Sequence, residues 1–148
     1  LLNLITTNVD TTAGVGTYDT IVALEGLIDD ADAGSVNRGY LSDTKLRSAL
    51  KTTKIDAGSG VFLTDGKELN GYNYMTSTLV PTLDTNKHPI IFGDWNQLTV
   101  GYWGSVSIMV DPYTQAANSN VRLIIEGYSD VAVSNEKAFA VNKVMTLS

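Results

Sequence analysis

Leu69-Asn70-Gly71-Tyr72-Asn73-Tyr74-Met75, Leu79-Val80-Pro81, Ile90-Ile91-Phe92-Gly93-Asp94-Trp95 and Val110-Asp111-Pro112-Tyr113 are the pieces of one run, Leu69 to Tyr113, that decides the fold. Apolar and aromatic segments are cut by Gly, Pro and Asn, the composition of short strands joined by tight turns. Tyr72, Tyr74 and Thr76 alternate with Asn73 and Met75 as a strand requires, and Asn70-Gly71 reads as a tight turn or a bulge. The run is a packed sheet region with no catalytic pattern in it. Composition and periodicity do not say what the sheet is for.

Working back from Leu69, Val61-Phe62-Leu63 followed by Asp65-Gly66 predicts a hairpin turn, preceded by a loop at Asp56 to Gly60. Asp43 to Thr52 is an amphipathic helix with Leu46, Ala49 and Leu50 facing inward, Ser42 as its N-cap, and a short strand from Val36 to Leu41 before it. Tyr18 to Ala31 places Ile21, Leu24, Leu27, Ile28 and Ala31 on one helical face. Thr17 stands as its N-cap, Asp19 favours the first turn, and Gly34 is the expected stop. Leu1 to Ile5 reads as the end of an element and Thr6 to Thr17 as loop. The chain does not open on Met, which suggests a fragment or a processed product.

Forward of the run, Leu98 to Trp103 reads as one strand. Val106, Ile108 and Val110 alternate with Ser105, Ser107 and Met109 as a half-buried second one. A polar loop at Thr114 to Asn120 leads to Val121 to Val133, the longest strand candidate, interrupted at Gly127. Ala138 to Val144 follows as a last strand. The order helix, strand, helix, hairpin, several strands gives an α+β class with a largely antiparallel sheet flanked by helices.

The 148 residues amount to a single domain. Charged residues make up 18%, below the usual quarter, as suits a subunit buried among neighbours. The net charge of −6 and the scattered basic residues argue against a nucleic-acid-binding role, since phosphate binding needs clustered Lys and Arg. Lys45, Arg47, Lys51 and Lys54 form the one basic cluster and read as a solvated helix face. The absence of cysteine excludes a disulfide scaffold and a thiolate zinc site, and fits a reducing cytoplasm. No run reaches membrane-spanning length and no signal-peptide pattern opens the chain.

Candidate chemistry is sparse. Gly14-Val15-Gly16 lacks the third glycine of a dinucleotide fingerprint. Asp29, Asp30 and Asp32 lack the closing Glu of a calcium loop and read as a solvated helix end. His88, the sole histidine, sits beside Pro89 with no carboxylate near it in sequence and reads as a loop residue. Asp94 and Asp111 are the carboxylates to test as a catalytic pair, but each lies at a strand end beside Gly or Pro, where Asp fixes turns. Tyr72, Tyr74, Trp95, Tyr102 and Trp103 would be the aromatic platform of a β-rich ligand-binding module, or else be split between core and subunit interface. No enzyme, cofactor or metal site is expected.

The order and spacing of Leu69, Gly71 and Tyr72, then Pro81, then Phe92-Gly93-Asp94-Trp95, then Asp111 and a long returning strand, resemble the C-terminal part of the major capsid protein family of tailed bacteriophages. The resemblance covers most of the chain. Each motif alone is weak, and their order together is fairly specific. It implies an axial domain over about 18–113 and strands returning to the peripheral domain over about 121–148, with the N-terminal arm, the long hairpin loop and the spine helix not among these residues. It further implies a structural subunit that self-assembles into pentamers and hexamers of an icosahedral shell around packaged DNA. Partners would be copies of itself and other virion proteins such as portal or scaffold, with no membrane and no sequence-specific nucleic acid. Its location would be the virion capsid, and the bacterial cytoplasm during assembly. An encapsulin-like compartment shell shares the fold and is the alternative. Lacking the locking parts, the isolated chain is expected to be a monomer or small oligomer.

Overall fold

The computed structural model describes residues 1–33, 36–56, 58 and 60–147. The chain divides into two compact units, residues 1–98 with 133–148, and residues 99–132.

In the first unit, two short strands, β1 (Val9–Asp10) and β2 (Gly14–Val15), precede α1 (Tyr18–Asp30). These strands occupy the stretch read as loop, and each is held by a distant C-terminal strand. α1 starts where Thr17 and Thr20 cap each other reciprocally: Thr20 Oγ1 accepts from the Thr17 amide at 2.9 Å and Thr17 Oγ1 from the Thr20 amide at 3.4 Å. Its buried side chains are Ile21, Leu24 and Ile28, three and four residues apart. Its stop differs from expectation, Gly34 lying outside the described residues. Asp32 turns left-handed at φ 52°, its amide reaches Asp29 O at 3.0 Å, and the Ala33 amide reaches Ile28 O at 3.4 Å. This is a Schellman closure with Asp where Gly is usual.

The strand β3 (Arg38–Ser42) runs into α2 (Thr44–Leu50). The expected Ser42 cap is replaced by Asp43, whose Oδ1 accepts from the Leu46 amide at 2.9 Å. Ser42 is still strand, and its buried hydroxyl is committed to Asp43 O at 2.9 Å and Tyr74 Oη at 2.7 Å. The hairpin pairs β4 (Glu68–Leu69) with β5 (Tyr72–Thr76). Its two loop residues, Asn70 and Gly71, have φ 50° and 80°, the doubly left-handed backbone of a tight hairpin turn, so the bulge reading falls. Asp65-Gly66 forms a separate turn, with Asp65 Oδ1 accepting from the amides of Lys67 and Glu68.

β6 (Ile90–Asp94), buried at every position, passes through a 3-10 turn (Trp95–Gln97). After the second unit the chain returns through another 3-10 turn (Glu136–Ala138) to β9 (Phe139–Asn142) and β10 (Met145–Thr146). The expected single last strand is therefore two. The main sheet has the order β1-β9-β6-β3-β5-β4, and β10 pairs with β2. Pairings β9-β6, β6-β3 and β5-β4 are antiparallel; β1-β9 and β3-β5 are parallel. The class is thus α+β with a mostly antiparallel sheet, and β9 lies in the same sheet as β3, β5 and β6.

Register decides which residues meet. Tyr40 stands opposite Phe92 and Tyr74, and Phe92 opposite Ala140. This face turns to α1, where the Tyr40 hydroxyl lies 3.3 Å from Ile21 O. Tyr40 and Phe92 rings lie 4.4 Å apart and Tyr72 meets Phe92 edge-on at 5.1 Å. Leu41 and Ile91 point the other way by the period of two.

The second unit is a two-stranded ribbon of β7 and β8 (Arg122–Val133), β7 spanning Leu98–Asp111. The two strands expected at 98–110 are one strand of 14 residues, with Gly104 at φ 72° absorbing a local change of twist. Gly127 does not interrupt β8. A Cβ there would lie 3.9 Å from Val106 Cγ2, which places Gly127 on the same face as Val106, across the ribbon.

Candidate assembly surface

The residues singled out from the sequence separate into a core set and others. Leu69 is 1% exposed and Phe92 fully buried. A Cβ on Gly93 would sit 2.2 Å from Phe139 Cδ1, so glycine leaves the room that this ring occupies beside β6. Trp95 Nε1 donates to Gly39 O at 3.2 Å and its ring meets Phe139 edge-on at 5.7 Å. Asp94, 3% exposed, accepts from the Asn96 amide at 3.1 Å and starts the 3-10 turn. Tyr72 and Phe92 pack together on the α1 face of the sheet, whereas Gly93 and Trp95 meet Phe139 on the other face. Pro81 lies in the loop after β5, and Asp111 in the second unit, accepting from the Tyr113 and Thr114 amides at 2.9 and 3.1 Å. Thr114's hydroxyl and those two amides hold the Asp111 carboxyl below the usual range. Both aspartates fix turns.

His88 differs from its reading. It is 2% exposed, its Nδ1 lies 2.6 Å from Asp43 Oδ2, and its amide donates to Met145 O at 2.8 Å. The partner carboxylate is 45 positions away, which local sequence cannot show. This pair joins the α2 cap, the entry to β6, and β10. One oxygen of the Asp43 carboxylate is spent on the helix cap and the other on the ring, so the pair reads as a clasp. Asp29, at the acidic end of α1, is matched by Arg38 at 2.6 Å. Among the described residues no group of three potential metal ligands converges, and no helix is long and apolar enough to cross a membrane.

Two apolar surfaces stand out among the described residues. On the first unit, away from α1, Leu1, Leu2, Leu41, Leu79, Val80 and Ile91 line most of an open groove of about 460 Å³. On the second unit, Val106, Ile108 and Val110 of β7 are 66%, 66% and 57% exposed, and Leu123 and Ile125 of β8 are 61% and 67% exposed. The strand expected to be half-buried is thus exposed, because a two-stranded ribbon carries no layer to cover it. Tyr102 and Trp103 are exposed there too, whereas Tyr74 is buried and Tyr72 and Trp95 half-buried in the first unit. The five aromatics do not form one platform. Lone soluble domains seldom leave a contiguous apolar face of this kind open.

Solved structures place this architecture in a class. The chain overlays the SrpI encapsulin from Synechococcus elongatus with a TM-score of 0.76 and 18% identity, covering 100% of this chain and 57% of that one. It overlays the capsid of an empty GTA particle at 0.69 and 20% identity, covering 97% and 56%, and a Mycobacterium phage Che8 chain at 0.70 and 14%, covering 94% and 54%. The chain shares the fold of these three chains. Residues 2–144 match the phage capsid family, and the major capsid protein of Halomonas phage phiHAP-1 is 33% identical over 124 residues, 84% of this chain and 20% of that protein. The chain belongs to the phage capsid family. It spans a fifth of that relative and little more than half of each of the three solved chains above. The order of turn and strand motifs is legible in the sequence; the His88–Asp43 pair, 45 positions apart, is not.

Proposed function

We propose that the chain is part of a capsid subunit whose work is self-association, with the β7–β8 ribbon as a contact surface. Membership of the family supports this, and the observation that carries it is the exposed face of Val106, Ile108, Val110, Leu123 and Ile125. Copies meeting head-to-tail through one surface close into rings when the rotation closes, and rings of five and six build an icosahedral shell around packaged DNA. In this reading residues 18–113 form an axial region and 121–148 return toward the periphery, the nine signature positions act by holding backbone shape, and no catalysis takes place. Other virion proteins such as portal or scaffold are further partners, assembly occurs in the bacterial cytoplasm, and the destination is the virion. The encapsulin overlay favours a second reading, a compartment shell with different contents.

Size-exclusion chromatography with light scattering tests the surface. The protein is expected as monomer and small oligomers, shifting upward with concentration. Ile108→Glu with Ile125→Glu is expected to leave only monomer while the melting curve of the first unit stays in place. Association unchanged by the double substitution would overturn the role of the ribbon.

A further inference from the structure

We infer that Asn70 is a conditional modification site: a self-deamidating residue held in check by the side chains that clamp its hairpin to α1. Asn followed by Gly is the sequence most open to attack by the next backbone amide, because glycine offers no side chain to hinder it. The Gly71 nitrogen bonds to the Asn70 side-chain carbonyl carbon, Nδ2 leaves as ammonia, and the resulting cyclic imide takes up water to open as aspartate or isoaspartate. No catalyst or oxidant is needed.

The structure holds both ends of this carboxamide. Tyr18 Oη donates to Asn70 Oδ1 at 3.2 Å, and Asn70 Nδ2 donates to Glu25 Oε1 at 2.8 Å. The same Glu25 oxygen accepts from the Tyr40 hydroxyl at 2.5 Å, so Tyr18 and Glu25 of α1, Tyr40 of β3 and the hairpin tip form one connected set. The attack needs the carboxamide to swing toward Gly71, and the reaction therefore runs only through the fraction of molecules in which the clamp is open. The product is disruptive in two ways. Aspartate at 70 sets a second carboxylate where Asn70 now donates to Glu25, and like charges at that distance repel. Isoaspartate lengthens the backbone of a two-residue turn whose length sets the β4–β5 register. Each opening thus carries a chance of becoming permanent, and residue 70 keeps a chemical record of whether α1 and the hairpin have stayed docked.

The protein, its Tyr18→Phe and Glu25→Ala variants, and the same chain in urea are incubated in mildly alkaline buffer. Peptide mapping by mass spectrometry then follows aspartate and isoaspartate at residue 70. The folded protein is expected to convert at least about tenfold more slowly than the chain in urea, and the variants several-fold faster than the unsubstituted protein. Tyr18→Phe removes one hydroxyl only, so it keeps the comparison valid if Glu25→Ala fails to fold. A folded rate equal to that in urea overturns the inference, as do folded variants that convert no faster than the parent.

Discussion

Gly93 shows how one missing methyl group decides a packing arrangement. The Phe139 ring occupies the place a Cβ would take, at 2.2 Å, and β6 and β9 are direct neighbours with Gly93 opposite Phe139. Gly93→Ala forces ring or strand to move, an overpacking cost of about 1–3 kcal/mol. A melting curve lowered by several degrees is the expected result. The buried tyrosines make a second residue-scale statement. Burial first, then the Glu25 bond, pushes the Tyr40 hydroxyl up, and burial pushes Tyr74 up to about 12 from its ordinary 10.0. A group whose folded pKa is raised adds stability that is whole below the unfolded value and is lost as pH rises through the folded one. Stability should therefore fall between pH 10.0 and about 12, and Tyr74→Phe should flatten that fall in a pH series of thermal melts. At neutral pH the same substitution costs about 1 kcal/mol for the lost bond to Ser42.

At the scale of elements, α1 ends on a compromise. Its left-handed closing residue is Asp32, φ 52°, which strains an L-residue and adds an acid at the negative end of the helix dipole. Asp32→Gly removes both effects and is expected to stabilise the protein by about 0.5–1 kcal/mol, read as a raised denaturation midpoint. This stop was not legible in the sequence, where Gly34 is the more conventional terminator. α1 itself was legible, because Ile21, Leu24 and Ile28 repeat at helical spacing and Thr17 caps locally. The β4–β5 hairpin was legible only in part, since Asn70-Gly71 reads as a tight turn or a bulge and the hairpin itself is expected at Asp65-Gly66. The parallel partners β1 and β2 were not, because Val9 and Gly14 are strand only by pairing with Val141 and Met145, more than a hundred positions away. The same holds for the clasp. Asp43 announces itself as an N-cap, but nothing local says that its second oxygen meets His88. Asp43→Ala strips the cap and strands a buried imidazole, an expected loss of about 3 kcal/mol by denaturant unfolding.

For the whole molecule, the two units face different physical problems. The first is stabilised from within, by a sheet with α1 on one face and a core of fully buried Ile, Leu, Phe and Tyr side chains. The second is a ribbon of two strands whose apolar side chains stay in solvent, an arrangement that is marginal in water without a third layer. Its exposed face reads in sequence as a strand to be half-buried, and that reading holds only if something covers it. Local stability should follow this contrast. In hydrogen exchange monitored by mass spectrometry, amides of β3, β6 and β9 are expected to exchange near the rate of global unfolding. Those of β7 and β8 should exchange through local openings that are orders of magnitude more frequent. Raising the protein concentration should slow exchange in residues 99–132 and leave β3 unchanged, because only the ribbon gains a covering layer. Equal protection of both units at low concentration would mean that the ribbon is stable by itself, and its exposed face would then need no partner.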